Sequence, residues 1–274
     1  MASEQLQAFI LAGRAHDMKA TTSAIGQNTV QVGIIGFGRF GKLIARIIKS
    51  KSGNVRILVF ARKRKKLGIS GGVEYASLDN VCNSDVIIPC VPISSFEAVI
   101  KSICGKIKSG ALLVDVCSVK VHPVAVMTKY VPANVEILAT HPAFGPESAR
   151  RGLKGLKIIL HTVRISPSKF AKIKQYCRDI GLAAIEMSPE EHDKLTAFSL
   201  AYTHLVGRIG ERMNIKNTVI DTRGFAQLLK VQGYVVNDTF TLFQDMHNFN
   251  PYAKEMRQQV HRALVEIEAE LTSE

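Results

Sequence analysis

An α/β fold, with a mainly parallel sheet followed by an all-helical C-terminal region, is what this sequence predicts, and three observations predict it. First, Val32-Gly33-Ile34-Ile35 runs into Gly36-Phe37-Gly38-Arg39-Phe40-Gly41 and then into an amphipathic stretch with Leu43, Ile44, Ile47 and Ile48. That is the pattern of a strand, a glycine turn and a helix. Second, short apolar runs alternate with helical periodicity as far as Met187, as parallel strands joined by crossover helices require. Third, the strand signal stops at Ser188-Pro189-Glu190-Glu191, which places a capping serine, a first-turn proline and a glutamate three residues after the cap. The expected organisation is an N-terminal arm over residues 1–30, a dinucleotide-binding domain over 31–187 and a helical domain over 188–274.

Composition limits the function. Hydrophobic residues make up 46% of the 274 positions, enough for a sizeable core. No apolar run approaches the roughly 20 residues that span a bilayer, so no membrane role is expected. Cys82, Cys90, Cys104, Cys117 and Cys177 form no C-x-x-C pair, which suggests free thiols in a reducing compartment. The net charge of +13 admits nucleic acid or small anions as partners. Aromatics are only 7% and none interleave with the basic run Arg62 to Lys66, so a small anionic ligand is preferred to nucleic acid.

Gly36, Gly38 and Gly41 have G-x-G-x-x-G spacing. In a Rossmann-type unit the first glycine makes the tight turn, the second lets the backbone approach a pyrophosphate, and the third lets helix and strand pack closely. Phe37, Arg39 and Phe40 fall within the same turn. Val55 to Phe60 is the next strand, followed at once by Ala61-Arg62-Lys63-Arg64. An NAD-binding fold places an acid here, on the ribose 2′-hydroxyl. No acid is present, and a guanidinium pairs with a 2′-phosphate, so Ala61, Arg62 and Lys63 are read as an NADP clamp. A charged loop with no ligand is the plainer alternative.

Further strands are expected at Val73 to Ala76, Asp85 to Pro92, Ala111 to Val116, Val135 to Ala139, Lys157 to Val163 and Ala183 to Met187, with helices over residues 94–107 and 167–180. Cys90, Val91 and Pro92 lie at a carboxyl strand end, where open α/β sheets bind ligands. Ser118 and His141 follow two other strands. A histidine there suits a general base, because its ordinary pKa is near neutrality, though a capped structural histidine fits the same place. Beyond residue 188, breaks are expected near Asn214–Asn217, Gly233 and Asn250–Pro251. On a straight helix at about 100° per residue, His192 and Ser199 share a face and His204 lies about 120° away. No His/Cys/Asp cluster has zinc spacing, so no metal is expected.

Three strings then carry a resemblance: Asp115-Val116-Cys117-Ser118-Val119-Lys120, Thr140-His141-Pro142-Ala143-Phe144-Gly145-Pro146-Glu147-Ser148, and Glu191-His192-Asp193. Together they resemble the arogenate/prephenate dehydrogenase family. Thr203 to Arg208, Ile220 to Phe225, Leu228 to Lys230 and Asn250 to Ala253 are similar to the plant-type arogenate dehydrogenases. The resemblance covers about residues 31 to 260. It implies an NADP-dependent oxidative decarboxylation of arogenate to tyrosine, with prephenate as the alternative substrate. A non-catalytic NADP-binding protein is a third reading, from another class. By position in the motifs, His141 matches the catalytic histidine, Ser118 a serine near the nicotinamide and the reacting hydroxyl, and His204 a substrate-pocket histidine. Asp238 matches an acidic position that favours arogenate, whose side-chain ammonium it can pair with; prephenate has a keto group there. Leu200 departs from the glutamine usual in plant-type members, and Ala143 from a frequent methionine. The arginine that holds the substrate carboxylate in many bacterial members has no clear counterpart; Arg208, Arg223 and Lys230 are the candidates. The resemblance also implies a homodimer formed through the helical domain, in the cytoplasm or, in a plant or alga, in plastids.

Overall fold

The structure is a computed structural model that describes residues 29–272 apart from 53, 65 and 70. The expected N-terminal arm lies outside the described residues as far as residue 28. Two compact units divide the chain. One takes the residues up to Val91, Ser95–Ser118 and Pro123–Met187; the other takes Pro92–Ser94, Val119–His122 and the residues from Ser188 onward.

The first unit is built on an eight-stranded sheet. Its strands are β1 (Val30–Ile35), β2 (Val55–Phe60), β3 (Val73–Tyr75), β4 (Val86–Pro89), β5 (Leu112–Asp115), β6 (Glu136–Pro142), β7 (Lys157–Arg164) and β8 (Ala183–Glu186). Their spatial order is β3-β2-β1-β4-β5-β6-β7-β8. The chain steps outward from β1 on one side and then returns to lay β4 on the other, which creates the switch point beside β1. All pairings are parallel except β6 with β7. The central strands are apolar on both faces, as a sheet covered on both sides demands: Ile34, Ile57, Ile87 and Leu113 are fully buried.

Helices α1 (Arg39–Lys51), α2 (Leu78–Cys82), α3 (Ile93–Ile103), α4 (Val121–Tyr130) and α5 (Pro167–Asp179) connect the strands. Ser166 caps α5, its hydroxyl accepting from the Lys169 amide at 3.4 Å, with Pro167 in the first turn. The strand containing His141 is longer than the sequence suggests. His141 and Pro142 lie inside β6, because the antiparallel β7 pairs them with Ile159 and Ile158 beyond the end of β5.

The second unit is helical. It contains α6 (Pro189–Thr196), a π-turn at Ala197–Ala201, α7 (Tyr202–Arg212), α8 (Arg223–Val236), α9 (Phe240–Asn248) and α10 (Ala253–Thr272). The Ser188 hydroxyl accepts from the Glu191 amide at 3.2 Å, the cap its sequence implies. The break expected at Gly233 is absent: α8 continues to Val236, and the turn falls at Asn237–Thr239, where Thr239 caps α9. A single glycine lowers helix propensity without ending a helix that packs well on a neighbour. Here that neighbour is α7. A Cβ on Gly207 would lie 2.9 Å from the Val235 side chain, and one on Gly210 would lie 2.4 Å from Gln232 Oε1. The two glycines thus form a notch that admits α8. Among the described residues, no helix is long and apolar enough to cross a membrane.

Candidate functional site

The expected site residues of the sheet unit gather at the carboxyl ends of its parallel strands. Gly36 follows β1 with φ +95, and a Cβ there would lie 2.3 Å from the Cys90 carbonyl oxygen. Only glycine meets both conditions cheaply. A Cβ on Gly41 would lie 2.3 Å from the Gly36 carbonyl oxygen, so this residue lets α1 close on the turn. Gly38 differs: a Cβ there would meet nothing within 4 Å. Its freedom from a side chain therefore serves space rather than packing. Gly38 also occupies the N-cap of α1 with no capping side chain, and the first turn holds no acid. That end of the helix presents backbone donors and a partial positive charge to an anion. These residues fit a dinucleotide pyrophosphate.

Arg39 forms an ion pair with Glu147 at 2.9 Å, so it ties the glycine turn to the segment after β6. Phe37 is buried and stacks edge-on to Tyr75 with centroids 6.1 Å apart, while Phe40 is half-buried. Ala61 packs on the core, and Arg62 and Lys63 are exposed where the chain leaves β2. Arg64 lies over the Tyr75 ring, 5.5 Å from its centroid. Cys90 follows β4, and burial pushes its thiol up to about 12, so it is no nucleophile. Val91 stays with the sheet unit, whereas Pro92 falls in the helical one.

β5 and β6 position the polar pair. The Asp115 carboxylate, fully buried, accepts from the Cys117 amide at 2.7 Å and shapes the turn that delivers Ser118. The Thr140 hydroxyl donates to the Asp115 carbonyl at 2.6 Å and ties the end of β6 to the end of β5. His141 follows directly and is 5% exposed. The Ser118 Oγ is buried and, among the described residues, has no hydrogen-bond partner. A buried hydroxyl left unmet costs about 1–3 kcal/mol, which marks it as awaiting a ligand or ordered water.

In the helical unit His204, Arg208 and Asp238 come together. His204 Nε2 lies 3.9 Å from an Asp238 carboxylate oxygen. Burial first, and then the Arg208 cation, lower the His204 pKa to about 4. Arg208 donates to Glu211 at 2.8 Å, to the Asp238 carbonyl at 2.7 Å and to the Val235 carbonyl at 3.3 Å, while its buried Nε has no partner among the described residues. It braces the turn between α8 and α9. Arg223 and Lys230 are exposed on α8. Lys230 is five residues before Val235, roughly 140° around the helix from the face that enters the α7 notch. The structure therefore does not gather these two with His204.

His192 is structural. It is buried against Asp193, with Nδ1 2.8 Å from the carboxylate, and that carboxylate accepts from the amides of Lys120 at 2.7 Å and Val121 at 2.9 Å. Ser199 sits in the π-turn and donates to the Leu195 carbonyl at 2.7 Å. The sequence reading missed three groups. Asp245 accepts from both the amide and the hydroxyl of Ser94, each at 3.0 Å, at the start of α3. His247 and Arg257 stand 3.2 Å apart, Nδ1 to Nη1. Their ten-residue separation across a helix break gives no periodic signal.

The buried imidazoles predict a pH response. Burial, Arg257 and His204 lower His247 to about 4 as well. In the unfolded chain both rings take up a proton near pH 6.5, whereas the folded chain resists until about pH 4. The folded state binds fewer protons in that window, so stability falls as pH drops from about 6.5 towards 4. Urea midpoints at pH 7 and pH 4.5 are expected to show this loss, and His204→Asn to reduce it.

Comparison with known proteins places this geometry. The family model described as prephenate dehydrogenase, nucleotide-binding domain, matches residues 44–185, more than half of the chain. The model described as TYRAAT1-like, C-terminal domain, matches residues 209–274. Arogenate dehydrogenase 1, chloroplastic, of Arabidopsis thaliana is 34% identical over 256 residues, covering 88% of this chain and 39% of that protein. Arogenate dehydrogenase 2, chloroplastic, of the same plant is 31% identical over 255 residues, covering 89% of this chain and 70% of that protein. The chain thus spans well under half the length of the first relative. In fold it is similar to the A. aeolicus prephenate dehydrogenase crystallised with hydroxyphenyl propionate and NAD+, at TM-score 0.69 and 18% identity over 89% of this chain and 91% of that one. The nucleotide-binding domain of a dehydrogenase family takes a nicotinamide dinucleotide, in keeping with the glycine cradle. By sequence and by the domain it carries, the chain belongs to the arogenate/prephenate dehydrogenase family.

Proposed function

We propose that this protein is an NADP-dependent arogenate dehydrogenase, which converts arogenate to tyrosine and carbon dioxide. The observation that carries the reading is that His141, buried at the end of β6, and a buried Ser118 hydroxyl with no partner among the described residues stand at the ends of two adjacent strands, β6 and β5. A nicotinamide dinucleotide held at the Gly36–Gly41 turn would supply a hydride acceptor for the hydroxyl-bearing ring carbon. The His141 imidazole takes the proton of that hydroxyl, the electron pair of the ring carboxylate's C–C bond passes through the ring to that oxygen as carbon dioxide departs, and the proton returns to it to give the phenol. The Ser118 hydroxyl donates to or accepts from the same region and holds the reacting groups in line.

Asp238 supplies the preference for arogenate. Burial keeps His204 neutral at neutral pH, with Nε2 3.9 Å from that carboxylate. A carboxylate at this position can pair with the substrate ammonium. The assay that tests the reading compares arogenate with prephenate, each with NADP and NAD. Fastest turnover of arogenate with NADP is expected; much faster turnover of prephenate removes the Asp238 argument. Cofactor binding with neither substrate consumed favours a non-catalytic protein.

The NADP assignment rests on Arg62 and Lys63, exposed after β2 where no acid stands. Arg62→Glu is expected to shift the ratio of kcat/KM from NADP towards NAD by about 10- to 100-fold, from loss of a charge-assisted pair and gain of a repulsion. An unmoved ratio rules the clamp out.

The same reading includes a homodimer. Leu264, Ile267 and Leu271 form an exposed apolar stripe on one face of α10, and Ile209 on α7 and Met213 just past its end are exposed. Exposed stripes of this kind mark association surfaces. Sedimentation at micromolar concentration is expected to give twice the chain mass; a monomer there rejects the dimer.

A further inference from the structure

The basic loop after β2 is anchored at both ends. Ala61, Leu67 and Tyr75 are half-buried against one apolar cluster, whose buried members include Phe37, Val59 and Val73. Between the two anchors of the loop, Arg62, Lys63, Arg64 and Lys66 are exposed. A run of solvated charge needs no such anchors. β3 pairs with β2 in parallel and sets Tyr75 opposite Val59, so the ring stands beside the carboxyl end of β2. Side chains alternate along a strand, so Tyr75 shares a face with Val73 while Glu74 points to the other. Glu74 there accepts from Arg56 at 2.6 Å. The Tyr75 ring is edge-on to Phe37, with centroids 6.1 Å apart, and the Arg64 guanidinium lies over it, 5.5 Å from its centroid. Lys42 on α1 repeats the arrangement: its Nζ is 5.7 Å from the Phe37 centroid and donates to the Lys66 carbonyl at 3.3 Å. Two cations from two elements thus stand over two touching rings, and the sequence has no acid from residue 61 to residue 73. An aromatic face attracts a cation without neutralising it, so both charges remain available to an anion.

We propose that Arg64 is a second guanidinium for the 2′-phosphate of NADP, that Tyr75 positions it, and that Lys42, held over Phe37, is a further cation of the same subsite. This deepens the NADP reading and rests on it. A phosphate monoester carries about −1.5 to −2 charge at pH 7 and three acceptor oxygens, so it can take donors from Arg62 and from Arg64 together. A ring beneath the flat face of a guanidinium leaves the N–H edge free to donate outward, and it restricts a side chain that would otherwise sample many rotamers. A 2′-hydroxyl has no charge to meet these cations, so NAD gains nothing from them. Phe37 links the subsite to the glycine turn, because the residue that follows Gly36 also supports Tyr75.

The test uses the full chain and two nucleotides that differ only by the 2′-phosphate, adenosine 2′,5′-bisphosphate and adenosine 5′-monophosphate. Calorimetry reads their dissociation constants without any turnover. Wild type is expected to bind the bisphosphate more tightly. Arg64→Ala is expected to weaken the bisphosphate about tenfold, the effect of one charge-assisted contact, and to leave the monophosphate unchanged. Tyr75→Leu is expected to weaken the bisphosphate about threefold, again without effect on the monophosphate, and Tyr75→Phe, which keeps the ring, to bind as wild type does. Arg64 is exposed, so its variant keeps the fold and decides the matter even should Tyr75→Leu fold poorly. Bisphosphate affinity unmoved in Arg64→Ala overturns the proposal. Equal losses for both nucleotides in Tyr75→Leu overturn the positioning role, because the ring then serves the adenosine they share. Wild-type protein that binds the two nucleotides alike rejects the NADP reading and the proposal with it. Discrimination that Arg62→Glu abolishes and Arg64→Ala leaves intact keeps the NADP reading and rejects the proposal alone.

Discussion

His141→Asn is expected to lower kcat by about 10²- to 10⁴-fold, the range over which a positioned general base acts. Asparagine retains hydrogen-bonding atoms but cannot take a proton near neutrality. It is also smaller than histidine, so β6, held between β5 and β7, loses no pairing: the ladder uses backbone groups alone. The dissociation constant for NADP, followed by calorimetry, is expected to change little. A variant with nearly normal kcat removes His141 from the base role. A variant that loses both turnover and cofactor affinity indicates a collapsed strand end, which a thermal melt separates from lost chemistry.

Asp238→Asn has the second largest expected effect, and it falls on substrate choice. A hydrogen bond to a charged group contributes about 1.5–3 kcal/mol, so the ratio of kcat/KM for arogenate over prephenate is expected to fall about 10- to 100-fold. Asparagine keeps the backbone carbonyl through which Arg208 contacts this residue. Preference for arogenate at the wild-type level in this variant places the discriminating charge elsewhere.

The sheet was legible because its signals are local. Each buried strand is a short apolar run, and the glycine turn has a pattern that steric contact enforces, with carbonyl oxygens 2.3 Å from where a Cβ would stand at Gly36 and Gly41. The extension of β6 through His141 was not legible, because it depends on the antiparallel partner β7, which follows some sixteen residues later. The π-turn at Ala197–Ala201 was equally hidden. It shifts the rotation between His192 and His204, so a straight-helix projection cannot relate those two residues. In the helical unit, the resemblance pointed to His204 and Asp238, but nothing in the spacing marked His247 or Arg257. Their contact joins two helices across a break, a property of packing alone. Arg208, a candidate ligand for a carboxylate by sequence, also braces the fold by donating to Glu211 and two carbonyls, which no spacing could show.

The Asp193 carboxylate has a consequence for the order of folding during synthesis. It accepts from the amides of Lys120 and Val121 across 73 and 72 residues of chain. Asp245 reaches back to Ser94 across 151. Chains emerge from the ribosome N-terminus first and tend to fold unit by unit. The strands of the sheet can therefore pair while the helical region is still being made, but the segments at Pro92–Ser94 and Val119–His122 must wait for acceptors that arrive much later. The loop immediately after Ser118 is early in sequence and late in folding. Its amides remain hydrated until α6 has emerged, some seventy residues later, and the Ser94 amide waits longer still, for α9.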